Sequence, residues 1–324
     1  MYLILKMEIY MIVKKENIFL CRTPLQARIC LEIIRDNKIS EFDLIYFTQD
    51  DNESDKKYFL ELSNKSNKSA YIFVKKQKKD IFNHIFSIFE FSRKGFKNKY
   101  LNIYLASIDS LLFRFVIKKN PQALIYGFDD GTANITQIGS YHNIDRSGKG
   151  FFYERLFGVS SIKDIKSRII KHYSIYPGYS NIVPDSKLSF LNLFSSKNLS
   201  QKNEKWITYF IGQPFNEYLD LDEINKLKSW LIEQSIDYYI MHPRETTPLI
   251  DVKLLDKKGM IAEDVIFKNA GESKVRIISA YSTVLFNISA QEAEKIYISL
   301  SNDEAEIQRR SLIEKTGTTI ISVV

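Results

Sequence analysis

Short apolar runs alternate with longer amphipathic stretches along the 324-residue chain, and this alternation restricts the fold more than any other feature. Runs rich in β-branched and aromatic residues predict strands, whereas apolar residues at helical spacing predict helices. Such alternation is typical of parallel sheets that carry helices on both faces. We therefore expect an α/β protein whose ligands bind beyond the carboxyl ends of its strands.

A polar stretch rich in Ser, Asn and Lys, from Ser186 to Glu204, divides the predicted elements into two sets and is interpreted as a linker. We accordingly predict a first domain over residues 1–200 and a second over residues 201–324, facing each other across a cleft. Predicted strands of the first set are Asn17–Cys21, Asp43–Thr48, Ala70–Val74, Leu101–Leu105 and Ala123–Tyr126, with helical stretches at Leu25–Arg35 and Ser107–Lys118. Predicted strands of the second set are Trp206–Ile211, Tyr238–Met241, Val265–Phe267, Val275–Ser279, Lys295–Leu300 and an edge strand over Thr318–Val324, with helices at Leu221–Gln234 and Asp303–Glu314.

The formal net charge is +7, and Lys and Arg are concentrated between Lys65 and Lys99. This distribution favours an anionic partner such as a nucleotide-sugar, an acidic glycan or a membrane surface. No nucleic-acid-binding motif accompanies the charge, so we expect no nucleic-acid partner.

The two cysteines, Cys21 and Cys30, cannot form a disulfide scaffold and lack metal-ligand spacing, which favours a reducing compartment. The apolar segment from Met1 to Val13 is interrupted by charges and is shorter than a membrane span. We expect a cytoplasmic protein, peripheral at most to the inner face of the membrane.

Two polar turns follow predicted strands of the first half. In the first turn, Thr23 precedes Pro24 and can cap a helix whose first turn also carries Gln26, although an ordinary strand-to-helix turn has the same pattern. In the second, Asp129 and Asp130 precede Gly131. One carboxylate can fix the turn while the other serves as a general base, although Asp-Gly is also a common turn signal.

Two further polar turns follow strands of the second half. His242, next to Pro243 and Arg244, is suited to binding a phosphate or protonating a leaving phosphate, unless it is simply a surface histidine. Ser282 and Thr283 begin a helix and can hold a phosphate without a metal, although plain N-capping explains them equally well.

Two weaker candidates complete the set. Gly212, which ends a strand just before Pro214, can allow a ligand to approach the backbone closely. Glu263 can accept hydrogen bonds from ribose hydroxyls. For both, a solvent-exposed turn is an equally good explanation.

These segments, taken in order, resemble bacterial glycosyltransferase family 52, the lipooligosaccharide and capsule sialyltransferases. The resemblance extends from about Asn17 to Leu300. It is carried by six segments: Cys21–Gln26, Ile103–Ser107, Phe128–Asn134, Gly212–Pro214, His242–Arg244 and Tyr281–Ser282. Family membership implies the two-domain GT-B fold, a CMP-sialic acid donor, a galactose-terminated oligosaccharide or glycolipid acceptor, inversion at the anomeric carbon, no cofactor and no metal. It also implies a homodimer, for which domain swapping is one arrangement.

The resemblance further assigns roles to residues. His242 and Ser282 resemble contacts to the CMP phosphate, Glu263 resembles a ribose contact, and Asp130 is the expected base, with Asp129 as the alternative. Some relatives carry their base, an Asp, directly after the Gly-x-Pro segment. Here that position is Phe215, and the nearest carboxylate is Glu217, which remains a third candidate.

Two other functions fit the same pattern. The chain could be a GT-B transferase that uses another nucleotide-sugar, such as a UDP-hexose. It could also be a non-catalytic nucleotide- or glycan-binding protein of capsule assembly. The α2,3 linkage to terminal galactose is an expectation from the family resemblance alone.

Overall fold

The structure is a computed structural model that describes residues 17–75, 80–96, 100–137, 141–142, 149–194 and 204–323. The apolar start from Met1 to Val13 and the centre of the predicted linker, residues 195–203, lie outside the described residues.

The first half forms a seven-stranded sheet in the order β3-β2-β1-β4-β5-β6-β7, in which every pairing is parallel. The strands are β1 Asn17–Cys21, β2 Phe42–Thr48, β3 Lys68–Phe73, β4 Asn102–Leu105, β5 Leu124–Phe128, β6 Ile169–Ser174 and β7 Leu188–Phe190. The helices are α1 Pro24–Asp36, α2 Glu53–Ser63, α3 Asp80–Arg93, α4 Leu111–Lys119, α5 Lys149–Phe157 and α6 Ile162–Arg168. All residues of β1, β2 and β4 are buried, as expected for strands covered on both faces.

The second half forms a five-stranded parallel sheet in the order β12-β11-β10-β8-β9. The strands are β8 Trp206–Ile211, β9 Tyr238–Ile240, β10 Lys274–Ser279, β11 Glu294–Ser299 and β12 Thr319–Ser322. The helices are α7 Leu221–Glu233, α8 Ala262–Ala270, α9 Val284–Asn287 and α10 Glu304–Glu314. The edge position predicted for the last strand is confirmed.

One predicted strand is wrong. Val265–Phe267 lies inside helix α8, where Val265 and Ile266 are buried. A three-residue apolar run cannot distinguish a buried strand from one face of a helix. The flanking signals do: Glu263 and Asp264 occupy the first turn of the helix, and Gly271 ends it at a φ of 58°.

The predicted linker starts too early, because β7 lies within it. Leu188 pairs with His172 and Phe190 pairs with Ser174, so this segment extends the first sheet as its edge strand. Strand β6 also has no counterpart among the predicted strands. The domain boundary at residue 200 stays a prediction, although the first sheet ends at Phe190 and the second begins at Trp206.

Side chains of the two halves share one apolar cluster, which includes Tyr176 and Tyr179 from the first half and Leu285 and Ile288 from the second. Polar contacts join the halves as well. The Tyr179 hydroxyl donates to the carbonyl of Leu312 at 2.6 Å. The halves are therefore packed against each other, and the site lies where both contribute polar turns.

Candidate active site

The N-terminus of α1 forms as the sequence predicts. Thr23 accepts a 3.3 Å hydrogen bond from the amide of Gln26, and Pro24 occupies the first turn. The Gln26 side chain is buried, and its carbonyl accepts the Arg22 amide at 2.7 Å. Its amide group is consequently held pointing toward the acidic turn that follows β5.

Asp129, the first carboxylate of that turn, is completely buried. It accepts hydrogen bonds from the Ser174 hydroxyl at 2.7 Å, the Ile175 amide at 2.8 Å and Asn181 Nδ2 at 3.1 Å. A fourth contact, at 2.9 Å, is to Nε2 of the buried His172. Asp129 therefore anchors β5 to β6. Because its carboxylate is completely buried and has four partners, it cannot reach a substrate.

Asp130, the second carboxylate, is partly exposed and is bound on three sides. Gln26 Nε2 lies 2.5 Å from Oδ1, while the Ser107 hydroxyl at 2.9 Å and the Tyr141 hydroxyl at 2.6 Å contact Oδ2. The donors come from the first turn of α1, which follows β1, and from the segments after β4 and β5, so the carboxyl ends of three neighbouring strands converge on one acid. Gln26 was predicted to contact the CMP-sialic acid donor. In the structure its side-chain amide donates to Asp130 and orients that carboxylate.

The turn around Asp130 is itself fixed. The Asp130 amide donates to Asn134 Oδ1 at 2.6 Å, and Gly131 has a φ of 55°, which a residue with a side chain adopts only with strain. Asp109 lies nearby, and burial, together with the charge of Asp130, raises the pKa of the Asp109 carboxyl. Asp109 and Tyr141 therefore belong to the acidic site, and neither stood out in the sequence.

His242 lies directly after β9, in a turn that Glu245 organises. The Glu245 carboxylate accepts the His242 amide and the Tyr239 hydroxyl, each at 2.6 Å. His242 Nδ1 accepts the Arg244 amide at 3.2 Å, which leaves Nε2 as the protonated nitrogen of the neutral ring. Partial burial and the positive charges of Arg244 and Lys257 lower the pKa of His242.

Gly212, predicted to let a ligand approach the backbone, lies against the turn that carries His242. A Cβ at this position would lie 2.6 Å from the Tyr239 ring and would overlap the Glu245 carboxylate. The space beside Gly212 is therefore occupied by the residues that hold the histidine turn, and not by an approaching ligand. Glycine is required there because Glu245 packs directly on the strand end.

The Gly-x-Pro segment places its neighbours in contrasting environments. Phe215, which stands where some relatives carry an Asp, is buried after Pro214 and stacks on Phe210 at 6.2 Å. Glu217 is about half exposed and forms a 2.5 Å ion pair with Arg244. Arg244 therefore holds Glu217 beside the turn that carries His242.

The turn after β10 presents Ser282 and Thr283 at the start of α9. Ser282 accepts the amide of Val284 at 3.3 Å, but the N-cap residue of this short helix is Thr283, whose side chain makes no capping hydrogen bond. Tyr281 adopts a positive φ of 49°, and Arg309 stacks on its ring at 4.3 Å. Arg309, on α10, had not been recognised in the sequence.

Glu263 is buried on α8 and accepts Asn287 Nδ2 at 2.7 Å. Burial raises the pKa of its carboxyl, whereas the bond from Asn287 opposes the shift. Lys257 interacts electrostatically with both Glu263 and Glu245. These charges place Glu263 near the histidine turn, on the second-half side of the site.

A cavity of about 590 Å³ joins the two halves. Thr132, Thr136 and Gln137 line it from the acidic turn, and Tyr281, Ser282 and Thr283 line it from the opposite half. Helix α10 contributes Arg309 and several other side chains. Neither Asp130 nor His242 is part of the lining. Asp130 lies two residues before Thr132 in the chain. His242 follows β9, which is separated from β10 by β8 in the sheet.

Two parallel α/β sheets with polar strand ends on a shared cavity form the arrangement known as the GT-B fold. The fold agrees with that of the α/β-galactoside α-2,3-sialyltransferase of Photobacterium phosphoreum (TM-score 0.55, 11% identity, 95% of this chain and 98% of that chain). It agrees equally with the UDP-GlcNAc 2-epimerase of Neisseria meningitidis (TM-score 0.56, 10% identity, 95% and 88%). At such low identity these similarities establish the fold alone.

The chain belongs to glycosyltransferase family 52, whose sequence profile matches residues 39–301. Similar proteins include an N-acetyllactosaminide α-2,3-sialyltransferase of Neisseria meningitidis, 27% identical over 78% of this chain and 69% of the relative. Another is a CMP-N-acetylneuraminate:β-galactoside α-2,3-sialyltransferase of Pasteurella multocida, 28% identical over 84% of this chain and 87% of the relative. The predicted family and GT-B fold are therefore confirmed.

Proposed function

We propose that this protein is an inverting sialyltransferase that moves sialic acid from CMP-sialic acid to the 3-hydroxyl of a terminal galactose. The observation that carries the proposal is the cavity between the halves, which brings the acidic turn of one to the Ser282–Thr283 turn of the other. The names of the similar proteins supply the donor and the acceptor.

Asp130 is the proposed general base. It is the partly exposed carboxylate of the acidic turn, whereas Asp129 is buried among four partners and Glu217 is paired with Arg244. Gln26, Ser107 and Tyr141 orient the Asp130 carboxylate, so that a free lone pair can accept the proton of the acceptor hydroxyl. Such a step contributes roughly 10²–10⁴-fold to the rate.

The second half is proposed to bind and stabilise the departing CMP. As the bond to phosphate breaks, positive charge develops on the anomeric carbon, as in glycoside hydrolysis, and negative charge grows on the phosphate. His242 can donate from Nε2, and Ser282 and Thr283 can donate from their hydroxyls. Arg244 and Lys257 add positive charge to this side, although their repulsion also disfavours protonation of His242.

Metal independence is part of the proposal. Within the described residues, no group of three or more His, Cys, Asp or Glu side chains is arranged to hold a metal ion. We propose that hydrogen-bond donors and cationic side chains stabilise the phosphate. We expect transfer to continue at an unchanged rate in excess EDTA.

The association of the protein with other molecules is also proposed rather than established. The described residues include no helix long and apolar enough to cross a membrane. A homodimer, domain-swapped or not, stays a prediction, as do the absence of a nucleic-acid partner and the cytoplasmic location. Whether the acceptor belongs to a capsule or to a lipooligosaccharide is left to acceptor screening.

The proposal is tested by incubating the purified protein with lactose as the acceptor and with one donor at a time. The donors are CMP-sialic acid, UDP-galactose and UDP-GlcNAc. We expect release of CMP with formation of sialyllactose, and no turnover with either UDP-sugar. Turnover with a UDP-sugar would make the protein a different GT-B transferase. Binding of CMP with neither transfer nor slow donor hydrolysis would make it a non-catalytic binding protein.

A further inference from the structure

The cavity between the halves carries an uneven distribution of charge. Among the described residues that line it, Arg309 is the one charged side chain, and none is a carboxylate. The other polar groups are hydroxyls and amides, which include Ser282 and Thr283 from the second half and Gln137 from the first. A single cation in an otherwise neutral cavity favours an anionic ligand at that point.

Arg309 is held in place on two sides. Its Nη1 donates a 2.6 Å hydrogen bond to Oε2 of Glu306, one turn earlier on α10. Glu306 is completely buried, and the same oxygen accepts the Tyr297 hydroxyl at 2.9 Å. The guanidinium carbon lies 4.3 Å from the centre of the Tyr281 ring. The orientation of the guanidinium is therefore set before a ligand arrives, which lowers the cost of binding one.

Part of the guanidinium remains accessible. The Arg309 side chain is 36% exposed, and its bond to Glu306 uses one of the two terminal nitrogens. A guanidinium carries five N–H donors in a planar fork that matches the two oxygens of a carboxylate. A ligand carboxylate that enters the cavity can therefore bind to N–H groups that Glu306 does not use.

The proposed donor brings such a group to this place. In CMP-sialic acid, the carboxylate and the phosphate oxygen are bonded to the same anomeric carbon. If Ser282 and Thr283 bind the phosphate, the carboxylate must lie close to their turn. Arg309 reaches the same region, because it stacks on Tyr281, the residue directly before Ser282. A UDP-hexose has no carboxylate and could not use this contact.

We propose that Arg309 binds the carboxylate of the transferred sugar and thereby selects an acidic sugar donor over a neutral one. This inference rests on the proposed function, because it takes the phosphate site at the Ser282–Thr283 turn as given. The carboxylate is charged both before and during transfer. The contact should therefore tighten donor binding, and lower the donor KM, without changing kcat.

The test measures dissociation constants by calorimetry for CMP, for CMP-3-fluorosialic acid, which resists transfer, and for the methyl ester of that analogue, which lacks the carboxylate charge. The wild type should bind the acid roughly 10–100-fold more tightly than the ester. Arg309→Gln should bind the acid and the ester equally, and CMP as tightly as the wild type. Arg310→Gln is the matched control and should behave like the wild type, because Arg310 follows Arg309 in the chain but does not line the cavity.

A second variant guards against unfolding. Arg309→Gln alone leaves the buried Glu306 carboxylate without its cation, whereas Arg309→Gln combined with Glu306→Gln leaves no unpaired buried charge. Both variants should lose the preference for the acid, and melting curves confirm that they fold. In transfer to lactose, the donor KM of the double variant should rise roughly 10–100-fold, while kcat and the KM for lactose stay unchanged.

Three results would overturn this proposal and leave the proposed function standing. Equal weakening of CMP and the acid analogue would mean that Arg309 binds the phosphate. A higher KM for lactose alone would place Arg309 at the acceptor. A preference for the acid over the ester that persists in both variants would mean that another group binds the carboxylate. A wild type that transfers no sialic acid and binds none of the three ligands would instead refute the proposed function, and this inference with it.

Discussion

The hydroxyl of Tyr176 donates a 2.7 Å hydrogen bond to Oδ1 of Asn287, and this contact ties the loop after β6 to the end of α9. Both side chains are buried. Asn287 uses its amide nitrogen to hold Glu263 at 2.7 Å. A single asparagine thus links the first half of the chain to a buried acid of the second half.

Replacing Tyr176 with Phe should lower the free energy of unfolding by about 1–2 kcal/mol, because the buried Asn287 oxygen loses its donor. Urea denaturation measures the change. Tyr104→Phe is the matched control, since Tyr104 is also buried and its hydroxyl has no hydrogen-bond partner among the described residues. Equal stabilities of the two variants would show that the Tyr176 bond does not stabilise the fold.

The two adjacent aspartates should respond differently to the same substitution. Asp130→Asn should reduce kcat by roughly 10²–10⁴-fold with little change in CMP affinity or stability, because it removes the proposed base. Asp129→Asn should instead lower the free energy of unfolding by about 2–4 kcal/mol, because it disturbs a buried carboxylate with four partners. Steady-state kinetics and thermal melting separate the two effects.

The opposite pattern would contradict this assignment. If Asp130→Asn retains near-wild-type turnover while Glu217→Gln loses it, the base is Glu217. If both variants are fully active, the proton is taken by a group other than these carboxylates.

Glu245 and Gly212 should act as one unit. Glu245→Ala removes the acceptor of the His242 amide and the Tyr239 hydroxyl, and Gly212→Ala displaces the same carboxylate by overlap. Each change should lower kcat/KM for the donor by roughly tenfold, equivalent to about 1.4 kcal/mol. The double variant should be no worse than the poorer single variant, whereas additive losses would mean that the two residues act independently.

The pH dependence of donor use should reflect the neighbours of His242. Burial, Arg244 and Lys257 lower its pKa from 6.5, so the protonated ring, which donates to the phosphate more strongly than the neutral ring, is lost as the pH rises through a value below 6.5. Lys257→Met removes one repelling charge and should raise that pKa, shifting the fall in kcat/KM to higher pH. His242→Ala should abolish this limb and weaken CMP binding.

The control for the pH experiment is Lys253→Met, because Lys253 stacks on Tyr238 and is absent from the groups that shift the pKa of His242. An unchanged pH limb in Lys257→Met would show that His242 is not the titrating group. Unchanged CMP binding and turnover in His242→Ala would remove the histidine from the site altogether.

Much of the fold could be predicted because fully buried parallel strands are continuous apolar runs. Asn17–Cys21 and Trp206–Ile211 appear in the structure with the predicted bounds. The failures have local causes. Val265–Phe267 is too short to reveal its helical period, and β7, with three residues, lies on the sheet edge among polar neighbours.

The site was harder to predict than the fold, because turn motifs identify residues but not their partners. Asp129 and Asp130 are adjacent in the sequence, yet their environments differ. Asp129 is buried among side chains of β6 and the loop after it, whereas Asp130 accepts hydrogen bonds from side chains that follow β1 and β4. Tyr141 and Arg309 stand in no distinctive motif, and Glu245 directly follows the His242–Arg244 segment without a predicted role of its own. Their roles depend on long-range packing, which the sequence does not display.

The most direct test of the account is a linkage analysis of the transfer product. Wild-type protein is incubated with CMP-sialic acid and lactose, and the product is examined by NMR and by digestion with an α2,3-specific sialidase. The account predicts α2,3-sialyllactose, formed with inversion and with release of one CMP per product. The absence of any sialylated product from lactose and from a panel of other β-galactosides, by protein that binds CMP, would contradict it.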